Sequence, residues 1–121
     1  MDIESLRTYC LSKPEVTEGF PFGEDTLVFK VAGKIFLLAA LDEYPLRINL
    51  KCDPGKAVEL REKYDSVLPG YHMNKTHWNT VIADGSFSGN DLIEWVDDSY
   101  LLVVKSLPTK IKEKIYKQLD M

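Results

Sequence analysis

The segment from Leu46 to Cys52 alternates apolar and polar side chains more regularly than any other part of the chain. Its apolar members are Leu46, Ile48, Leu50 and Cys52, and its polar members are Arg47, Asn49 and Lys51. Successive side chains of a strand point to opposite faces, so the pattern predicts a strand with one buried and one solvated face. Such strands are typical of antiparallel sheets that are covered on one side only.

Further strands are predicted at Thr26–Ala32, Ile35–Leu41, Val67–Met73 and Trp78–Ala83, with a weaker candidate at Thr17–Phe22. A tight turn at Ala32-Gly33-Lys34 joins the first two into a hairpin. The Ile35–Leu41 segment is apolar throughout, which predicts that both of its faces are covered.

Apolar spacing predicts helices at Asp2–Lys13, from Asp53 to about Tyr64, from Gly89 to about Lys105, and at Pro108–Leu119. Pro14 ends the first helix, and Asp53 followed by Pro54 is a typical start of the second. The order αβββαββα, with the final helix appended, predicts an α+β fold. We expect one two-layer domain over residues 1–121, with helices packed on one face of an antiparallel sheet.

Composition and charge exclude several classes of protein. With 45% hydrophobic and 28% charged residues the chain is neither disordered nor collagen-like. Its longest apolar run falls far short of the roughly 20 residues that a membrane helix needs. No basic segment followed by an apolar one opens the chain, so we expect a cytoplasmic protein. The net charge of −4 argues against non-specific binding of polyanions.

The cysteines do not form a recognisable motif. Cys10 and Cys52 have the spacing of neither a zinc site nor a thioredoxin-like pair. In a chain without a visible secretory signal, we expect two reduced thiols in the core.

The stretch from Pro69 to Val81 concentrates polar and aromatic residues, including both histidines of the chain. The spacing of His72 and His77 does not match a metal motif and no third ligand is evident, so we expect no metal site. A histidine could act with Asp84 as an acid–base pair, but no nucleophile motif accompanies them. We therefore expect no cofactor and no enzymatic activity. In the simplest interpretation, these residues only shape the turn.

The same stretch resembles the signature of the MmcQ/YjbR family of small bacterial proteins, in Pro69-Gly70-Tyr71-His72-Met73-Asn74-Lys75 and His77-Trp78-Asn79-Thr80-Val81. The segments 17–23, 29–36 and 92–100 resemble further parts of the family, so the similarity spans about residues 3 to 106. It implies a two-layer α/β fold with an antiparallel sheet. It also implies DNA binding through projecting β hairpins, a double wing.

The nucleic-acid-binding residues predicted from this resemblance and from local charge are Lys34, Arg47, Asn49, Lys51, Lys75, His77 and Asn79. They form one polar sheet face only if His77 and Asn79 point the same way as Arg47. We expect Trp78 to be mostly buried on the core face together with Thr80 and Ile82, which would turn His77 and Asn79 outward.

Two other interpretations remain open. The domain could be a protein-interaction module, monomeric or homodimeric, that binds a peptide or partner protein on its sheet face. The related layout of type III secretion chaperones makes this reasonable by fold analogy alone. Alternatively, the sheet face is only solvated.

The C-terminal helix is rich in lysine, and an ordinary solvated face is the simpler interpretation there, since lysines suit a helix C-terminus.

Overall fold

Four helices and six strands make up the computed structural model, which describes residues 2–121. The helices are α1 (Ile3–Leu11), α2 (Pro54–Lys63), α3 (Gly89–Lys105) and α4 (Thr109–Gln118). The strands are β1 (Val16–Gly19), β2 (Thr26–Val31), β3 (Lys34–Ala40), β4 (Arg47–Lys51), β5 (Val67–Pro69) and β6 (Trp78–Ile82). The α+β prediction is confirmed. The weak candidate at Thr17–Phe22 corresponds to β1, so the observed order is αββββαββαα.

All six strands form one antiparallel sheet in the order β1-β2-β3-β4-β6-β5. The strand β1 ends before Pro21, which has no N–H to donate to a ladder. The prediction that β5 continues to Met73 is wrong, because the chain leaves the ladder after Pro69 and folds back over the sheet.

Local sequence signals begin the helices. Asp2 and Asp53 each accept a hydrogen bond from the backbone N–H three residues further on, at 2.8 and 3.2 Å. Ser88 and Asp91 form a reciprocal capping box at the start of α3. These side-chain oxygens satisfy N–H groups that the first turn of a helix leaves without a partner.

The strand register separates two faces of the sheet. The core face carries buried Leu27, Phe29, Leu37, Ala39, Ile48, Leu50 and Val81. Helix α3 packs on it through Leu92, Trp95, Val96, Tyr100 and Val103, whereas Leu102 is only half-buried. The opposite face, called the open face below, carries Thr26, Val28, Leu38, Ala40, Arg47, Asn49, Lys51, Trp78 and Thr80.

Ser99 fastens α3 to two neighbouring strands. Its buried hydroxyl donates to the carbonyl of Phe36 at 2.5 Å and accepts from the N–H of Lys51 at 2.9 Å. A buried hydroxyl that is satisfied in both roles fixes the helix on the sheet without an unpaired polar group. Among residues 2–121, no helix combines the length and apolar character that crossing a membrane requires.

Candidate functional site

Trp78 and Asn79 face opposite directions from those that the alternation predicts. Asn79 pairs with Leu50 on the core face and is 2% exposed, whereas Trp78 pairs with Lys51 on the open face and is half-buried. The expectation that Asn79 points outward with Arg47 is therefore wrong. Burial of an amide is costly unless its polar atoms find partners, and helix α2 provides them.

Arg61 of α2 is the main partner of this buried amide. Its Nε donates to Asn79 Oδ1 at 2.7 Å, and Asn79 Nδ2 donates to the carbonyl of Ala57 at 3.3 Å. The same guanidinium donates to the carbonyls of Lys75 and Trp78. Arg61 thus ties helix α2 both to β6 and to residues 70–77, which join β5 to β6 and are called the 70–77 loop below.

The 70–77 loop folds back over the open face. The N–H of Gly70 donates to the Trp78 carbonyl at 2.9 Å, and a Cβ at position 70 would lie only 2.8 Å from the Trp78 Cβ. Further along, the N–H of Tyr71 donates to Thr80 Oγ1 at 2.9 Å, and Asn49 Nδ2 donates to the Tyr71 carbonyl at 3.2 Å. Two open-face side chains, Thr80 and Asn49, therefore hold the loop against the sheet.

The tip of the loop presents two rings to solvent. Tyr71 and His72 are both exposed, and their ring centroids lie 3.9 Å apart. The backbone of His72 has a φ of +59°, in the left-handed region that is unfavourable for residues other than glycine. Hydrogen bonds on both sides of His72 hold this backbone: the Tyr71 N–H donates to Thr80 Oγ1, and the Met73 N–H donates to the Gly70 carbonyl at 3.3 Å.

A groove of about 460 Å³ occupies the open face between the 70–77 loop and one end of the sheet. Its lining consists of Thr26, Leu38, Ala40, Arg47, Asn49 and Thr80 from strands, Tyr71, His72 and Met73 from the 70–77 loop, and Phe22, Asp42 and Glu43 from two other loops. The expectation that β3 is covered on both faces fails here, because Leu38 and Ala40 are half-buried and form the apolar floor. The volume lies within the usual range of ligand pockets.

Two exposed aromatic side chains line the groove, and a third lies next to a lining residue in the sequence. Phe22 and Tyr71 line it with 65% and 64% of their surface exposed, and Tyr44, 98% exposed, follows the lining residue Glu43. Large apolar side chains that cluster in solvent mark interaction surfaces. The segment Phe20–Gly23, with its proline and glycine, carries a turn signal that could have indicated a loop aromatic here.

The loops at this end of the sheet are acidic. The segments 20–25, 41–46, 64–66 and 83–88 contain Glu24, Asp25, Asp42, Glu43, Asp65 and Asp84 but no Lys or Arg. A hydrogen bond from the Leu41 N–H to the Asp25 carbonyl, 2.8 Å long, places the first two loops side by side. Within residues 2–121, the carboxylates of Glu24, Asp25, Asp42 and Glu43 have no ion-pair partner.

The residues predicted to bind nucleic acid are dispersed over the sheet. Arg47 and Asn49 line the groove, and Lys51 lies on the open face beside Trp78. Lys34 pairs with Val31, whose side chain is in the core, so Lys34 lies on the helix side of the sheet.

The remaining predicted residues belong to the 70–77 loop and β6. Lys75 Nζ donates to the Gly70 carbonyl at 3.1 Å, His77 is exposed just before β6, and Asn79 is buried behind α2. The single polar face, which required Asn79 to point the same way as Arg47, is not formed because Asn79 faces the core. Asp42 and Glu43 also line the same groove as Arg47.

Both cysteines are buried free thiols, as predicted. Burial raises the pKa of the Cys10 thiol to about 12 and also raises that of Cys52. A thiol whose pKa is raised is a poor nucleophile at neutral pH. Residues 2–121 contain no cluster of three or more His, Cys, Asp or Glu side chains suited to a metal ion.

Comparison with known proteins places the whole of this architecture in one family. The YjbR family model matches residues 11–102. The uncharacterized protein YbdF of Escherichia coli O157:H7 is 39% identical over 113 residues, which cover 93% of this chain and 92% of YbdF. The uncharacterized protein YjbR of Escherichia coli K12 is 34% identical over 119 residues, covering 98% of this chain and 100% of YjbR.

Solved structures agree with the sequence comparisons. The crystal structure of Deinococcus radiodurans protein DR2400, a DUF419 domain, superimposes with a TM-score of 0.88 at 39% identity, covering 93% of this chain and 86% of that one. A Pseudomonas syringae protein gives a TM-score of 0.73 at 27% identity, covering 84% of this chain and 98% of its own.

Proposed function

The chain belongs to the YjbR family, and we propose that it is a non-catalytic protein-interaction domain whose groove binds a segment of a partner protein. The observation that carries this proposal is the groove itself. It combines an apolar floor at Leu38 and Ala40 with exposed rings at Phe22 and Tyr71 and only a few charged groups. Apolar concave sites with a few placed polar groups are typical of binding sites, and a peptide offers side chains of the matching size.

The chemistry of the lining supports binding more than catalysis. The hydroxyl of Thr80 donates to Asn49 and accepts from the Tyr71 N–H, so it is engaged in holding the loop. Both thiols are buried outside the groove and have raised pKa values. The lining also contains no Ser, Cys or Lys side chain that His72 could activate as a covalent nucleophile.

DNA binding, which the family resemblance implies, is the second candidate. It is favoured by Lys30, Lys34, Lys51 and Lys75, which lie at the end of the strands opposite to the acidic loops. Against it stand the acidic loops beside Arg47 and the net charge of −4, because both repel a phosphate backbone that crosses the whole face. The charge distribution thus favours the peptide.

Selection of random peptides by phage display tests the proposal directly. Peptides enriched on the wild-type domain should lose at least about tenfold in affinity when Ala40→Trp fills the groove. Val58→Trp adds the same ring at an exposed position of α2 and should leave binding unchanged. Tyr71→Ala removes one wall and serves as a second groove variant. Enriched peptides that bind Ala40→Trp and Tyr71→Ala as well as wild type would contradict the proposal.

Fluorescence anisotropy with labelled duplex DNA at about 50 mM salt tests the second candidate. If DNA binds, Arg47→Ala and Lys51→Ala should each weaken binding for all sequences and lower the salt slope by roughly one counterion. Lys112→Ala with Lys114→Ala is the control on helix α4. No binding at tens of micromolar protein, at an ionic strength this low, rejects DNA.

Two further expectations stay predictions from the sequence. These are the cytoplasmic location and the oligomeric state, monomer or homodimer. Sedimentation velocity with and without the selected peptide measures the oligomeric state.

A further inference from the structure

We propose that the segment bound in the groove is both basic and apolar, with a Lys or Arg side chain next to an aromatic or long aliphatic one. This inference rests on the proposed function and names the chemistry of its ligand. It follows from three features of the groove: unpaired carboxylates at its mouth, rings beside them, and a single cation on its lining.

The carboxylates at the mouth are free to bind a cation. Asp42 and Glu43 line the groove, and the backbone hydrogen bond between Leu41 and Asp25 brings a second acidic loop alongside. Some carboxylates elsewhere in the described chain already have partners: Glu18 with Arg7, Asp97 with Lys13 and Asp98 with Lys56. Asp42 and Glu43 are therefore available to an external cation, and their position on the lining of the groove distinguishes them from exposed carboxylates such as Glu59 and Glu62 on α2, which the described residues do not pair either.

The rings at the groove suit the stem of a basic side chain. Lys and Arg place their methylene groups on apolar surface while the charged head reaches polar partners. Phe22 and Tyr71 also attract a cation through the faces of their rings. Leu38, Ala40 and Met73 leave apolar room for the neighbouring side chain, and methionine adapts to different shapes.

Arg47 is the one Lys or Arg on the groove lining, and it has no ion-pair partner within residues 2–121. Its guanidinium offers several donors in a fixed plane, which match the carbonyl groups of an extended backbone. Arg47 would repel a segment with basic residues at every position. A mixed basic and apolar segment therefore fits the groove better.

Three labelled peptides of identical Trp and Leu pattern, differing only in whether the remaining positions are Arg, Gln or Glu, test the inference. The Arg peptide should bind wild type at least about tenfold more tightly than the Glu peptide, with the Gln peptide between them. Asp42→Asn with Glu43→Gln should remove most of this preference. Glu59→Gln with Glu62→Gln removes the same charge from exposed positions on α2 and should leave it intact.

The possible outcomes distinguish a failure of the charge preference from a failure of the proposed peptide binding. Equal binding of all three peptides, abolished by Ala40→Trp, overturns the charge preference and leaves the peptide groove standing. Tighter binding of the Glu peptide overturns it in favour of Arg47 as the main contact. Binding of none of the three, or binding that Ala40→Trp leaves unchanged, contradicts the proposed function itself. Self-association that Ala40→Trp abolishes assigns the groove to a second copy of the chain and overturns the inference.

Discussion

Arg61 Nε donates a 2.7 Å hydrogen bond to Asn79 Oδ1, joining a helix and a strand that lie 18 positions apart in the chain. The same guanidinium reaches the carbonyls of Lys75 and Trp78, at the end of the 70–77 loop and the start of β6. One arginine behind the sheet therefore fixes the loop that forms one wall of the groove in front of it.

Removal of Arg61 should destabilise the fold more than removal of an exposed arginine. Arg61→Ala leaves the Asn79 oxygen, which is buried, without its charged donor, and we expect a loss of about 2–3 kcal/mol in the free energy of unfolding. Arg7→Ala removes an exposed ion pair with Glu18 and should change stability little. Urea unfolding measures both variants. Equal losses in the free energy of unfolding for the two variants would contradict a special contribution of the Arg61 contacts.

Gly70 should not tolerate a side chain. Gly70→Ala places a Cβ 2.8 Å from the Trp78 Cβ and 2.9 Å from its carbonyl oxygen, so strand or loop must move. We expect a loss of roughly 1–3 kcal/mol, as in overpacked cores. At Gly89, where nothing lies within 4 Å of an added Cβ, alanine should be neutral or slightly stabilising. Thermal unfolding of the pair checks the contrast, and a neutral Gly70→Ala would contradict it.

The two tryptophans should differ in their contribution to stability. Trp95 is 5% exposed in the core, and Trp95→Ala should cost about 3–5 kcal/mol. Trp78 is half-buried on the open face, so Trp78→Ala should cost roughly half as much. Chemical unfolding monitored by circular dichroism compares them. A larger loss for Trp78 would restore the core position that the sequence pattern predicts for it.

The thiols should be unreactive in the folded protein. We expect Cys10 and Cys52 to resist a thiol-specific chromogenic reagent at about pH 8 until the chain is denatured. Burial raises the pKa of Cys10 to about 12, above the value of about 8.5 for an unfolded chain. The contribution of the protonated Cys10 thiol to the free energy of unfolding is therefore complete below about pH 8.5 and is lost as the pH rises toward 12. Rapid labelling of the native protein would contradict this.

Local pattern was sufficient for most of the fold. The alternation from Leu46 to Cys52 specifies the inner and outer faces of β4 correctly. The side chains that point to one face are all apolar, and those that point to the other are all polar. In β6 both sets mix apolar and polar residues, so the alternation cannot tell which one is inside. The large ring of Trp78 suggested the core, yet the amide of Asn79 occupies it because Arg61 supplies hydrogen bonds.

The groove could not be predicted from local pattern, since it depends on contacts between distant segments. Asn49 and Thr80 hold the Tyr71 backbone across the sheet, and no spacing within residues 69–81 specifies that fold-back. The acidic loops are visible as separate turns in the sequence. Their position at one end of the sheet becomes apparent only from the strand order.

The most direct test of the central claim is a map of backbone amide chemical shifts by NMR during titration with the Arg-containing peptide. If the groove on the open face is the binding site, the largest changes should fall on Leu38, Ala40, Arg47, Asn49 and the 70–77 loop. The amides of Lys30 and Lys34 at the far hairpin should remain unchanged. Changes confined to that hairpin, or to helices α2 to α4, would contradict the account.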